Sequence, residues 1–155
     1  MLKIEEKIGD SNLEYRLIGN LDESAELVLA DFLSSFSKSE IILNCRDIQQ
    51  INSVGVRIWI QFLKKLTSTT KISVSECCEV FMDYRALIPA MTQNSEILSV
   101  VVGFECRNCG SVIDKIINRA DFKIDLNFGT LPCTTCSHAA IPIANAEDLF
   151  SFLEE

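Results

Sequence analysis

The chain predicts an α/β fold: a mostly parallel sheet with an antiparallel edge hairpin and helices, then a small metal-binding segment with a short C-terminal helix. Three observations carry that expectation. Two stretches of alternating apolar and polar residues flank a polar, glycine-containing turn near the N-terminus. Amphipathic stretches then alternate with short apolar runs. Four of the seven cysteines fall into two Cys-x-x-Cys pairs.

LKIEEKI (2–8) and LEYRLIGNL (13–21) alternate around Gly9-Asp10-Ser11-Asn12, which predicts a hairpin with one buried face. Asp22, Glu23 and Ser24 then precede apolar residues at helical spacing from Ala25 to Phe36. The acidic residues stand where a helix dipole favours them, and the helix is expected to end near Lys38. IILNC (41–45) is mostly apolar and reads as an interior strand covered on both faces.

The stretch QQINSVGVRIWIQFLKKL (49–66) joins a polar turn to a second helix. At about 100° per residue its apolar side chains sweep an arc of roughly 200°, wider than one sheet covers, while Arg57, Gln61, Lys64 and Lys65 share the remaining face. KISVS (71–75) predicts another strand, and EVFMDYRALIPAM (79–91) a third helix that Pro89 bends or ends. ILSVVVGF (97–104) reads as a closing strand buried on both faces. The texture changes at Glu105, which divides the chain into 1–104 and 105–155. The final AEDLFSFLEE is too short a helix to stand without packing back on the first region.

The order of elements, EYRLIGNLD before the first helix and INSVGVRIW before the second together resemble the STAS domain, the fold of bacterial anti-sigma factor antagonists, over roughly residues 1 to 104. In that family the turn usually reads Asp-Ser-Ser/Thr-Gly, and a partner kinase phosphorylates its hydroxyl residue. The resemblance aligns Ser53 with the phosphoacceptor and Gly55 with the glycine, while Asn52 replaces the aspartate and Val54 the second hydroxyl residue. It implies a bacterial signalling module in which the helix start presents the partner surface, here Asn52, Val54, Gly55, Val56 and Trp59. The lack of a signal core or membrane span makes the expected location cytoplasmic, and the lack of catalytic motifs makes the expected module non-enzymatic. The partner would be an anti-sigma factor, a serine kinase or a signalling scaffold.

The physical chemistry of the turn is compatible with that role. A helix start exposes unpaired N–H groups that tolerate a phosphate of about −1.5 to −2 charges, and a partner docked there would meet a desolvated dianion. The plainer reading is that Ser53 only caps the helix, in a scaffold that does not switch. Trp59, likewise, reads either as core packing or as a partner anchor.

Cys106-x2-Cys109-x23-Cys133-x2-Cys136 has the spacing of a structural zinc site, because each tight turn grips the metal with two thiolates and two turns complete a tetrahedron. The segment resembles a zinc ribbon. Gly110 supplies backbone freedom after the first pair, and the lone histidine, His138, reads as an exposed loop residue. Cys45, Cys77 and Cys78 read as packing thiols. Two pairs argue against a thiol–disulfide site, and the closed coordination shell argues against metal catalysis.

Fourteen basic residues against 22 acidic ones give a net charge of −8. The ribbon segment itself is acidic, which disfavours a zinc-dependent nucleic-acid adaptor. The N-terminus lacks an apolar signal core, and no stretch reaches the length of a membrane span. No Gly-rich phosphate loop occurs, and a Ser/His/Asp set would have to recruit His138 from the ribbon.

Overall fold

The computed structural model describes residues 1–7, 13–122 and 128–154. The predicted hairpin turn at 9–12 lies outside them. Its two strands are in place: β1 (Lys3–Glu6) pairs antiparallel with β2 (Glu14–Leu21), with Ile4 opposite Leu17. α1 (Ala25–Ser35), β3 (Glu40–Ile51), α2 (Ser53–Leu66), β4 (Lys71–Ser75), α3 (Glu79–Leu87) and β5 (Ser95–Ile97) follow. The five strands form one sheet in the order β1-β2-β3-β4-β5, parallel from β2 onward. The expected mostly parallel sheet with an antiparallel edge is therefore observed.

The helices share one face of this sheet. Leu17, Leu21, Leu43, Ile72 and Val74 point into the core beneath them. Phe32 of α1 meets Phe62 of α2 at 6.2 Å, and Trp59 of α2 meets Phe81 of α3 edge-on at 5.9 Å. The opposite side carries a polar network. Asn44 Nδ2 donates to Glu14 Oε1 at 2.7 Å, and Arg16 and Arg46 pair with Asp47 and Glu76. The expectation that residues 41–45 form an interior strand covered on both faces holds in part. The strand is interior and twelve residues long, with Ile41, Leu43, Cys45, Ile48 and Ile51 buried in the core; on the other face Asn44 is buried within the polar network and Ile42 is half-buried.

The run 97–104 also differs from expectation. Ile97 ends β5 in the parallel sheet, and β6 (Ser99–Cys106) belongs to a second sheet. That sheet is antiparallel, in the order β7 (Val112–Asn118), β6, β9 (Ala139–Pro142), β8 (Leu131–Pro132). The change of sheet falls at Leu98, while β6 runs on through residue 104. Val100, Val102 and Phe104 enter the common core, whereas Val101 and Gly103 are only half-buried. An apolar run with one buried face here looked like one with two. The sheets are tied where Cys77 N donates to Ser99 O at 3.0 Å and Val101 N to Cys77 O at 2.9 Å.

α3 ends two residues before Pro89, which opens a 3-10 turn, Pro89–Thr92. At the C-terminus α4 (Ala146–Leu149) passes into a further 3-10 turn, Ser151–Glu154. Phe150 is buried against Phe122 and Phe128, and the Phe152 ring lies 5.3 Å below the Arg85 guanidinium of α3. The short terminal helix therefore packs back on the first region, as its length required. Among the described residues no helix is long and apolar enough to cross a membrane.

Candidate metal centre and helix-start site

The second sheet positions the four paired cysteines. One pair occupies the turn between β6 and β7, the other the turn between β8 and β9, and pairing of Cys106 with Ala140 brings the turns together. All four sulfurs lie within 4.8 Å of one another. Cys106 Sγ is 3.5 Å from Cys136 Sγ, and Cys109 Sγ is 3.5 Å from Cys133 Sγ. A tetrahedral zinc with bonds of about 2.3 Å to sulfur sets its ligands roughly 3.8 Å apart, so the donor set fits such an ion.

The two turns are built alike. Gly110 N donates to Cys106 O at 2.8 Å and Ser137 N to Cys133 O at 2.9 Å. Cys106 N donates to Ser111 O at 2.9 Å and Cys133 N to His138 O at 2.8 Å. Both residues after the second cysteine take the left-handed conformation, Gly110 at φ 75° and Ser137 at φ 63°.

The surroundings favour thiolates at the outer positions. The Ser111 hydroxyl, 3.2 Å away, and its N–H hold the Cys109 thiol down to about 6, and the His138 N–H lowers Cys136. The Cys109 N–H pulls Cys106 down too, but burial and the neighbouring sulfurs push it up to about 11. His138 is exposed, with Nδ1 3.1 Å from Cys136 O, and is not part of the quartet. Four cysteines so close could hold a metal ion such as zinc. Cys45 and Cys77 are buried in the core and Cys78 is half-buried, with burial raising the thiols of Cys45 and Cys78.

The helix-start site lies where β3 turns into α2. Asn52 is the cap: its backbone is extended, and its Oδ1 accepts from Gly55 N at 2.8 Å. Ser53 is therefore the first helical residue, not the cap. Its side chain is exposed, and its hydroxyl makes no hydrogen bond among the described residues. Asn52 Nδ2 donates to Glu23 Oε2 at 3.1 Å and Asn52 N to Leu21 O at 3.1 Å, which ties this turn to the one before α1.

The expected partner surface is corrected in three places. Gly55 is buried, and a Cβ there would stand 1.7 Å from the Leu21 carbonyl oxygen, so the backbone it admits is the chain's own. Val56 is buried. Trp59 has no exposed surface, and its Nε1 donates to Met91 O at 2.9 Å. The wide apolar arc of α2 is covered by α1, α3 and the 3-10 turn after α3, which is why it exceeds what one sheet needs. Asn52 and Ser53 are exposed, Val54 is half-buried, and Arg57 joins them at the surface.

Two features escaped the sequence reading. Ser137 follows Cys136 as Gly110 follows Cys109, a repeat that was visible in the spacing. The carboxylates of Glu79 and Asp83 on α3 and of Asp148 on α4 line one groove, and nothing in the sequence signals their meeting, because the two helices are far apart along the chain. No protein-family model matches the chain, and no curated protein matches it.

Proposed function

We propose that the chain is a non-enzymatic bacterial regulatory module of the anti-sigma factor antagonist type, with a STAS-like region, a structural zinc held by Cys106, Cys109, Cys133 and Cys136, and a protein partner docking at the start of α2. Zinc, when bound, would supply a cross-link between the two turns; with four thiolates around it, no position would remain for substrate.

The observation that carries the switching role is the division of labour between Asn52 and Ser53. Asn52 takes the cap, so the Ser53 hydroxyl is exposed and uncommitted at the positive end of α2. A phosphate there would leave the fold intact while adding charge to the docking surface. Glu23 favours the second reading, a scaffold that does not switch. Its carboxylate bonds Asn52 beside Ser53, and like charge opposes a dianion.

Purification of the full chain with its native partners, identification of those partners and phosphosite mapping in one mass-spectrometric experiment tests both. A serine kinase or anti-sigma factor recovered with phosphate at Ser53 supports the switch. A stable assembly with Ser53 unmodified supports the scaffold, and a nucleic-acid-bound complex removes both.

A further inference from the structure

A groove of about 190 Å³ opens between α3, β6 and the segment leading into α4, away from the cysteine quartet and independent of the role of Ser53. Its apolar lining comes from Met82, Ala86, Val101, Gly103, Ile143 and Leu149. Ile143 is 50% exposed although it stands beside a strand, and its N–H donates to Gly103 O at 2.9 Å. Gly103 leaves the middle of β6 bare: a Cβ there would meet Ile143 Cδ1 at 3.2 Å.

Glu79, Asp83 and Asp148 also line it, beside Ala144 and Asn145, and no lysine or arginine belongs to it. All three carboxylates are exposed, and none enters an ion pair or side-chain hydrogen bond among the described residues. Glu79 and Asp83 stand four residues apart on one face of α3, where like charges repel. Ion pairs are formed away from this groove, by Lys7 with Glu14, Arg16 with Asp47, Lys38 with Glu6, Arg46 with Glu76 and Arg119 with Glu96. The groove thus combines exposed apolar surface with uncompensated negative charge. It is also smaller than the roughly 300–1,000 Å³ of a cofactor or drug-sized site, which suits a side-chain anchor better.

We propose that this groove docks a basic segment of a partner protein, with one aliphatic or aromatic side chain seated against Met82, Val101 and Ile143 and flanking lysines or arginines facing Glu79, Asp83 and Asp148. The walls come from both the first region and the tail, so the groove exists only while α4 packs on α3.

The test uses the full chain purified without chelator and a fluorescently labelled peptide of lysines and alanines with one central leucine, read by anisotropy at low and physiological salt. Saturable binding that weakens with salt is expected. Replacing the leucine by serine, or making Ile143→Ser in the protein, should weaken it about tenfold, as loss of a buried anchor does. Glu79→Lys with Asp83→Lys should weaken it at least as much with an unchanged circular dichroism spectrum. Equal binding of the leucine and serine peptides would overturn the proposal, because it would reveal only attraction to a protein of charge −8. Indifference to the charge reversal would overturn it too. So would a dimer that Ile143→Ser dissociates, since a second copy would then be the occupant.

Discussion

Ser137 holds, with a side chain, the backbone conformation that Gly110 holds without one: each follows the second cysteine of a pair, at φ 63° and 75°, and each donates its N–H to the first cysteine's carbonyl. A left-handed residue with a Cβ costs about 1 kcal/mol that glycine avoids. Ser137→Gly is therefore expected to stabilise the fold by somewhat less than about 1 kcal/mol, since glycine also frees the unfolded chain. Ser137→Val should destabilise it. Urea denaturation of the metal-loaded protein checks both.

Elemental analysis is expected to find one zinc per chain, and chelation to lower the melting temperature of the second sheet, whose two turns hold the quartet. Cys106→Ser should abolish stoichiometric zinc. A folded chain with four freely titrating thiols and no metal would remove the structural zinc from the proposal. Because metal binding requires thiolates, retention should fall as pH falls.

The quartet is legible in the sequence because a metal site is written in local spacing, and His138, as expected, lies outside it. The parallel sheet was legible because β3, α2, β4 and α3 alternate in period. The second sheet was not, since Val100, Val101 and Val102 are equally apolar while only their pairing decides that 101 faces outward. Of the two readings of Trp59, core packing holds and the partner anchor does not, for a related reason. An arc of apolar residues records how much of a helix is covered, not whether the cover comes from another chain or from Met91 and Phe81 of this one. Which of two adjacent polar residues caps α2 was a matter of one position, and only the Asn52 Oδ1 geometry decides it.

Gly55→Ala sets helix propensity against packing. Alanine is favoured by about 1 kcal/mol inside a helix. A Cβ at 55, however, would stand 1.7 Å from Leu21 O and 2.7 Å from Asp22 N, both backbone atoms that cannot rotate away. The expected outcome is a loss of more than about 3 kcal/mol, read by urea denaturation. A neutral or stabilising effect would mean that α2 does not rest on the end of β2.

Glu14 predicts one acid-sensitive contact across three strands. Burial pushes its carboxyl up, but Asn44 at 2.7 Å, the Lys7 ammonium at 3.2 Å and Ser75 at 3.4 Å outweigh this and hold it below the ordinary range. A carboxylate lowered by folding contributes stability above its unfolded pKa and loses it as pH falls through the folded value. Glu14→Gln should accordingly cost no more than about 1 kcal/mol at neutral pH, because the Lys7 end of the pair is solvated. The cost should vanish in acid. Denaturation across pH 3 to 7 is the measurement, and a pH-independent cost would assign the loss to packing instead.

Substitutions at the start of α2 separate the cap from the candidate switch. Asn52→Ala removes the Oδ1 that accepts from Gly55 N and the Nδ2 that reaches Glu23, so a loss of about 1 kcal/mol is expected. Ser53→Ala removes a hydroxyl with no hydrogen bond, and stability should stay within about 0.5 kcal/mol. Ser53→Asp adds a negative group at the positive end of a helix whose first turn has no acidic residue, which should stabilise by about 0.3 to 1 kcal/mol at low salt and less as salt rises. Partner binding should respond in the opposite order: unchanged in Ser53→Ala, and lost in Ser53→Asp although that variant is the more stable of the two. Asn52→Asp restores the family's aspartate and keeps a capping oxygen, so phosphate incorporation at Ser53 by the partner kinase should rise without loss of fold. Tight binding of the partner by Ser53→Asp would leave Ser53 with no role beyond filling the first turn, and the scaffold reading would stand in place of the switch.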